Sequence, residues 1–71
     1  MEITYDKDAD AIYIRFGDGE FGSNKVIDRE TIVNLDKRGN ILGIELLSVS
    51  KRISSKSLSE ISVKNLIGIA A

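Results

Sequence analysis

The 71-residue sequence contains no cysteine, no histidine and no proline. Without cysteine the fold cannot be held by disulfides, and without cysteine and histidine it lacks the ligands of most structural zinc sites. A serine or cysteine nucleophile paired with histidine is excluded for the same reason. The fold therefore depends on its own apolar core or on contact with another molecule.

Long hydrophobic runs are also missing. No apolar stretch approaches the roughly 20 residues of a membrane-spanning helix, so no membrane association is expected. The first residues lack the basic start and apolar run of a signal peptide, which with the lack of cysteine favours a cytoplasmic location. We expect a single domain over residues 1–71. A chain this short buries only about 60% of its unfolded surface, so its core should be marginal.

Charge is unevenly distributed along the chain, although the net value is only −1. Residues 1–36 contain nine acidic and four basic side chains, a balance of −5. Residues 37–71 contain two acidic and six basic side chains, a balance of +4. Such an asymmetry can steer association with another molecule or with a second copy.

Alternating apolar residues predict an antiparallel sheet of about four strands in two hairpins. The segments 2–5 and 10–16 read as strands, and the acidic cluster between them reads as a turn, because Asp side chains accept hydrogen bonds from nearby backbone N–H groups. We assign Asp6 and Asp10 to this structural turn. In the second strand the residues expected on the core face are Ile12, Ile14 and Phe16.

The second predicted hairpin is closed by Asp36-Lys37-Arg38-Gly39-Asn40. Gly39 would supply the positive φ of a type I turn with a G1 bulge. Gly43, within the returning strand, indicates a bulge or a place where another side chain crosses closely over the backbone. Both glycines are therefore structural residues in this interpretation.

Two further segments follow the second predicted strand. Residues 17–24 hold three of the six glycines and predict a long flexible loop. Residues 25–36 are rich in β-branched side chains and predict one strand that bends or bulges near Arg29. The loop also matches the dinucleotide-binding pattern G-x-G-x-x-G, but Asp18 and Glu20 would repel phosphates.

The C-terminal segment is serine-rich, with seven serines in residues 48–62. Apolar residues at spacings of three and four nevertheless predict a short helix from about Leu58 to Asn65, and Ser57 with Glu60 resembles a capping box. A strand over Ile61–Ile69 and a swapped element are the competing interpretations. The expected fold class is α+β, mainly β, with this short helix at the C-terminus.

No group of residues in the sequence predicts catalysis, a cofactor or a metal. Asp6, Asp8 and Asp10 copy the opening of an EF-hand loop, but Ala11 and Gly17 occupy the positions of its required glycine and glutamate. Serine–lysine or paired-carboxylate chemistry would need a cleft that a domain of this size rarely builds. We therefore predict a protein that is not an enzyme.

Two groups in the C-terminal half are candidate interaction residues. The basic group could contact the phosphates of a nucleic acid and consists of Lys51, Arg52, Lys56 and Lys64. The apolar group could contact a second copy or another protein and consists of Leu66, Ile67 and Ile69. The leading hypothesis is a homo-oligomeric protein-interaction module, with a homodimer as its simplest form. The alternatives are a weak nucleic-acid binder and a small-ligand binding protein.

Two blocks of the sequence resemble a known family. The first block is Ile3-Thr4-Tyr5-Asp6 with Ala9-Asp10-Ala11-Ile12-Tyr13-Ile14, and the second is Gly43-Ile44-Glu45-Leu46-Leu47-Ser48. Over residues 2 to about 53 the chain resembles the small prokaryotic family called domain of unknown function 2283. The resemblance implies a compact β-rich domain with no established activity, cofactor or catalytic residue. Relatives encoded beside small toxin-like proteins also imply that this chain is an antitoxin-like or accessory partner of such a protein.

Overall fold

The computed structural model describes residues 1–64, in which five antiparallel strands form a single sheet. The elements in chain order are β1 (Glu2–Asp6), β2 (Ala11–Arg15), β3 (Phe21–Asp28), β4 (Thr31–Asp36), β5 (Ile41–Leu46), a 3-10 turn (Val49–Lys51) and a one-turn helix α1 (Ser55–Leu58). The strands lie side by side in the order β1-β2-β5-β4-β3. The last strand among residues 1–64 is therefore the central one, and the mainly β prediction is confirmed with five strands instead of about four.

The additional strand comes from the segment predicted as one bent strand. The side chain of Asp28 accepts a hydrogen bond from the Glu30 N–H at 2.8 Å and closes a tight turn, so the chain reverses at Arg29. The segment before the turn belongs to β3 and the segment after it to β4, which pair with each other. The charged stretch is therefore a hairpin turn, and the prediction of a single strand was wrong.

The predicted flexible loop is also shorter than expected, because β3 already begins at Phe21. Asn24 pairs with Asn34 of β4. Gly22 is explained by close packing: a Cβ there would lie 2.6 Å from the Asp36 carbonyl oxygen. The glycine and polar residues of this segment thus belong to an edge strand, although their composition is typical of a loop.

The first hairpin joins β1 and β2 with Asp6 opposite Ala11. The Asp6 Oδ1 atom accepts hydrogen bonds from the N–H groups of Asp8 at 3.0 Å and Ala9 at 3.1 Å. Asp10 has a φ of 52°, in the left-handed region, and its carboxylate accepts from the Ser50 hydroxyl at 2.6 Å. Asp10 therefore links this turn to the chain that follows β5.

The second predicted hairpin joins β4 and β5 through Asp36, whose Oδ1 atom accepts from the N–H groups of Arg38 and Asn40, both at 2.9 Å. Gly39 has a φ of +87°. The register then shifts, because Leu35 pairs with Ile41 and Asn34 with Gly43. One residue of β5 is left without an opposite partner, as in a β-bulge.

Hydrogen bonding to these turn carboxylates predicts an acid-sensitive fold. The Asn40 N–H lowers the pKa of Asp36 below its ordinary value of 3.8, and the Glu30 N–H lowers the pKa of Asp28 in the same way. A carboxyl whose pKa is lowered on folding contributes stability above its unfolded pKa and loses it as pH falls through the folded pKa. The urea midpoint should therefore drop as pH falls below about 4.

The Asp36→Asn variant tests this directly, because asparagine keeps an acceptor for the turn N–H groups and cannot ionise. Its urea midpoint should fall less steeply than that of the natural protein between pH 6 and acid conditions. Equal slopes for the two proteins over the same range would contradict the assignment.

The sheet has two chemically distinct faces, because residues paired across antiparallel strands point to the same side. One side, called the apolar face here, carries Ile3, Tyr5, Ile12, Ile14, Val33, Leu35, Ile44 and Leu46, with the polar residues Ser23, Lys25 and Thr31 toward the β3 edge. The other side, called the polar face, carries Glu2, Thr4, Tyr13, Arg15, Asn24, Asn34 and Glu45.

The fully buried core is small and lies outside the apolar face. Among residues 1–64 the buried apolar side chains are Leu42, which is 7% exposed, and Val49, which is 0% exposed. Every side chain of the apolar face is only partly buried, and Tyr5 is 39% exposed. The sheet is therefore a single layer whose apolar side is incompletely covered by the described residues.

The helix lies earlier than predicted. Helix α1 spans Ser55–Leu58, and its N-cap is Ser54, whose side chain accepts from the Ser57 N–H at 3.2 Å. The predicted cap at Ser57 was therefore wrong by about one turn. The Ser59 hydroxyl donates to the Lys56 carbonyl, and serine hydroxyls of this kind compete with helical hydrogen bonds. Residues 59–64 are neither helix nor strand, and the remainder of both predicted elements lies outside the described residues.

The C-terminal segment is attached at the end of the sheet where β5 stops. The Val49 N–H donates to the Asp10 carbonyl at 3.0 Å, and Arg52 Nη1 donates to the Glu30 carbonyl at 3.0 Å. Helix α1 then borders a groove with Tyr5 of the apolar face. None of the helices among residues 1–64 has the length and hydrophobicity to cross a membrane.

Candidate functional site

A hydrogen-bonded polar network occupies the centre of the polar face. Asn34, on β4, is only 5% exposed. Its Nδ2 group donates to Asn24 Oδ1 on β3 at 2.7 Å and to Glu45 Oε2 on β5 at 2.8 Å. Three adjacent strands thus contribute one polar side chain each. Both hydrogens of the Asn34 amide are used, so its burial carries no unpaired donor.

Tyr13 lies beside this network because Gly43 leaves room for it. A Cβ atom at position 43 would be 2.7 Å from the Tyr13 hydroxyl oxygen and 2.7 Å from the Ile14 carbonyl oxygen. In the sheet Tyr13 pairs with Glu45, and Arg15 pairs with Gly43. The Tyr13 side chain therefore leans diagonally across β5, toward the strand that carries Asn34.

The same face forms an open cleft of about 470 Å³. Its lining combines polar and apolar groups, namely Tyr13, Arg15, Gly19, Phe21, Asn24, Asn34, Leu42 and Glu45. The loop after β2 forms one wall: Arg15 Nε donates to the Gly17 carbonyl at 3.0 Å, and a Cβ on Gly19 would lie 3.2 Å from Leu42 Cδ1. The cleft is large enough for a small molecule.

Sequence reasoning assigned no functional role to Asn24, Asn34 or Glu45. Asn24 was expected in a loop, and the other two residues follow the ordinary alternation of a sheet with one polar side. Only the register of three strands brings these side chains together. No local pattern distinguishes them from solvated polar residues.

The four predicted turn residues lie at the positions described above. Asp6 and Asp10 belong to the first hairpin, Gly39 lies in the turn before β5, and Gly43 lies under Tyr13. Asp6 and Asp10 both accept hydrogen bonds from backbone N–H groups. Within residues 1–64 no group of three or more acidic side chains is arranged to hold a metal ion.

Two of the four residues of the predicted basic group, Lys51 and Arg52, lie near acidic turns. Arg52 donates to the Glu30 carbonyl, and its charge contributes to the lowered pKa of Asp28, after the Glu30 N–H and the Thr31 hydroxyl. Ser50, next to Lys51, donates to the Asp10 carboxylate. Lys56 and Lys64 are exposed.

The predicted apolar interaction residues, Leu66, Ile67 and Ile69, lie outside the described residues. The two halves of the sequence are interleaved in the sheet. Strand β5 belongs to the second half, and it lies between β2 and β4 of the first half.

Comparison with known proteins places the chain near one family. A family model described as "Protein of unknown function (DUF2283)" matches residues 2–50, which include all five strands. The search of curated proteins found no match. The search of solved structures found no match either.

Proposed function

The chain belongs to this family of proteins of unknown function, and we propose that it acts as a homodimeric protein-interaction module whose two copies pack with their apolar faces together. One observation carries the proposal. Eight apolar side chains share one side of the sheet, and none of them belongs to the fully buried core of residues 1–64. Contiguous apolar surface of this kind is typical of an interaction site.

The dimensions of the sheet are compatible with a small dimer interface. The four strands that carry the apolar residues, spaced about 4.8 Å apart and each about five residues long at 3.4 Å per residue, cover roughly 330 Å² in projection. Protruding side chains make the accessible area larger than this projection. The area therefore approaches the roughly 600 Å² per partner at which stable interfaces begin.

A second copy is a better occupant of this face than the short helix. Helix α1 has four residues and borders the apolar face near Tyr5, at one end of the sheet. The centre of the face contains Ile14, Ile44 and Val33, which pair across β2, β5 and β4. Two such faces related by a twofold axis are complementary to each other, and stacked sheets pack about 10 Å apart.

Sedimentation equilibrium of the natural protein tests the dimer. One chain has a mass of 7.8 kDa, so the proposal expects twice that value at high protein concentration. Because apolar contacts hold the two copies, the dimer should persist at high salt. A single-chain mass at every concentration that stays soluble would overturn the proposal.

An antitoxin-like or accessory role would use the surfaces that such a dimer leaves exposed, including the polar face. Binding of nucleic acid through the basic residues stays a prediction of the sequence. Retention of a duplex or a single strand at low salt would support it, since electrostatic binding is strongest there.

A further inference from the structure

The cleft on the polar face contains a polar centre that the fold does not require. Asn34 lies between β3 and β5 at 5% exposure, where an apolar β-branched residue would pack without hydrogen-bond requirements. Buried polar groups in the middle of a sheet are departures from local packing rules. Such departures are expected at functional positions more than elsewhere.

Two opposite charges border this centre and keep unused hydrogen-bonding capacity. Glu45 accepts from Asn34 through Oε2, and its second oxygen has no hydrogen-bond partner within residues 1–64. Arg15 uses Nε to bond the Gly17 carbonyl, and its terminal nitrogens have no such partner among the same residues. The two side chains also form no ion pair with each other there. One anionic and one cationic group thus line the same cleft.

The register fixes how these two groups are arranged around Tyr13. Tyr13 pairs with Glu45 and Arg15 pairs with Gly43, so Arg15 and Glu45 are diagonal neighbours. Diagonal neighbours in an antiparallel pair lie about 7–8 Å apart. The hydroxyl end of Tyr13 lies over Gly43, so the tyrosine side chain follows the other diagonal and passes between Arg15 and Glu45. The aromatic side chain forms the floor, with a charge on either side.

We infer that this cleft binds a small zwitterion with one ammonium group and one carboxylate group, as in a free amino acid. Arg15 pairs with the ligand carboxylate, since a guanidinium offers two parallel N–H groups to a carboxylate. Glu45 accepts from the ligand ammonium, which also lies close to the Tyr13 ring. Phe21 and Leu42, at the cleft wall, contact the apolar part of the ligand.

Titration of the ¹⁵N-labelled protein with free amino acids tests this inference by NMR. Glycine, L-alanine and L-leucine are the probes, and acetate and methylamine are the single-charge controls. The zwitterions should shift the side-chain amide signals of Asn24 and Asn34 and the backbone amide of Gly43. Acetate and methylamine should bind at least about ten-fold more weakly, because each engages only one of the two charges.

Two pairs of variants separate the site from general charge effects. Arg15→Gln and Glu45→Gln should each weaken amino-acid binding by about ten-fold or more. Arg38→Gln and Glu60→Gln make the same charge changes outside the cleft and should leave binding unchanged. The dispersion of the NMR spectra reports whether each variant remains folded.

Three results would overturn the inference. They are the absence of shifts with all three amino acids, equal shifts with acetate or methylamine, and binding that survives both cleft variants. Because the cleft lies on the side opposite the apolar face, the mass of the protein is an independent measurement. A monomer that binds amino acids, or a dimer that does not, would distinguish the two proposals.

Discussion

The Ile44→Asp variant should be a monomer under conditions in which the natural protein is a dimer. Ile44 is at the centre of the apolar face, paired with Ile14 on one side and with Val33 on the other. An unpaired carboxylate at a water-excluded interface costs about 3–5 kcal/mol, which weakens association by more than about 100-fold. Sedimentation equilibrium of the variant and the natural protein measures the change.

Val26→Asp is the matched control, because it places the same charge on the opposite side of the sheet. Val26 is 67% exposed and pairs with Ile32, on the polar face. The mass of the Val26→Asp protein in solution should equal that of the natural protein. Circular dichroism shows whether the Ile44 variant is folded, and Ile14→Thr provides a milder change on the same face. A folded Ile44→Asp protein that keeps the dimer mass would contradict the proposed interface.

The Gly43→Ala variant should be destabilised by about 2–3 kcal/mol, at the upper end of the usual range for overpacking. The new Cβ would lie 2.7 Å from the Ile14 carbonyl oxygen and 2.7 Å from the Tyr13 hydroxyl. The tyrosine can move, but the carbonyl belongs to the backbone of the neighbouring strand. The pairing of β2 with β5 must therefore shift, which should appear as a lower urea midpoint.

Gly17→Ala makes the same chemical change without a steric conflict, since no atom lies within 4 Å of its Cβ position. Its stability should stay within about 0.5 kcal/mol of the natural protein. Adding Tyr13→Leu to the Gly43 variant removes the contacts with the tyrosine hydroxyl and ring but leaves the Ile14 carbonyl in place, so it should restore only part of the loss. Equal stabilities of the two glycine variants would show that β5 tolerates a side chain at position 43.

The hairpin turns were predictable because their chemistry is local. Asp6 and Asp36 accept hydrogen bonds from N–H groups within four residues, and Gly39 adopts a positive φ. The charged turn at Arg29 was missed although Asp28 closes it in a similar way. β-branched residues flank the turn at Arg29 directly on both sides, and such a composition suits one long strand as well as two short ones.

The position of the helix shows how weak local signals compete. Serines at 54 and 57 are both suitable N-caps, and Ser54 is the one whose side chain accepts from a backbone N–H of the helix, that of Ser57. Helix propensity within a serine-rich segment is too small to decide between neighbouring starting points.

By itself the sequence determined that this chain forms antiparallel strands with one apolar and one polar side, closed by aspartate and glycine turns. These features depend on residues close together in the chain. Only the tertiary structure decided that β5 lies in the centre and that Asn24, Asn34 and Glu45 meet across three strands. Strand order and register arise from contacts between distant segments, and a shift of one residue would move each of these side chains to the opposite face.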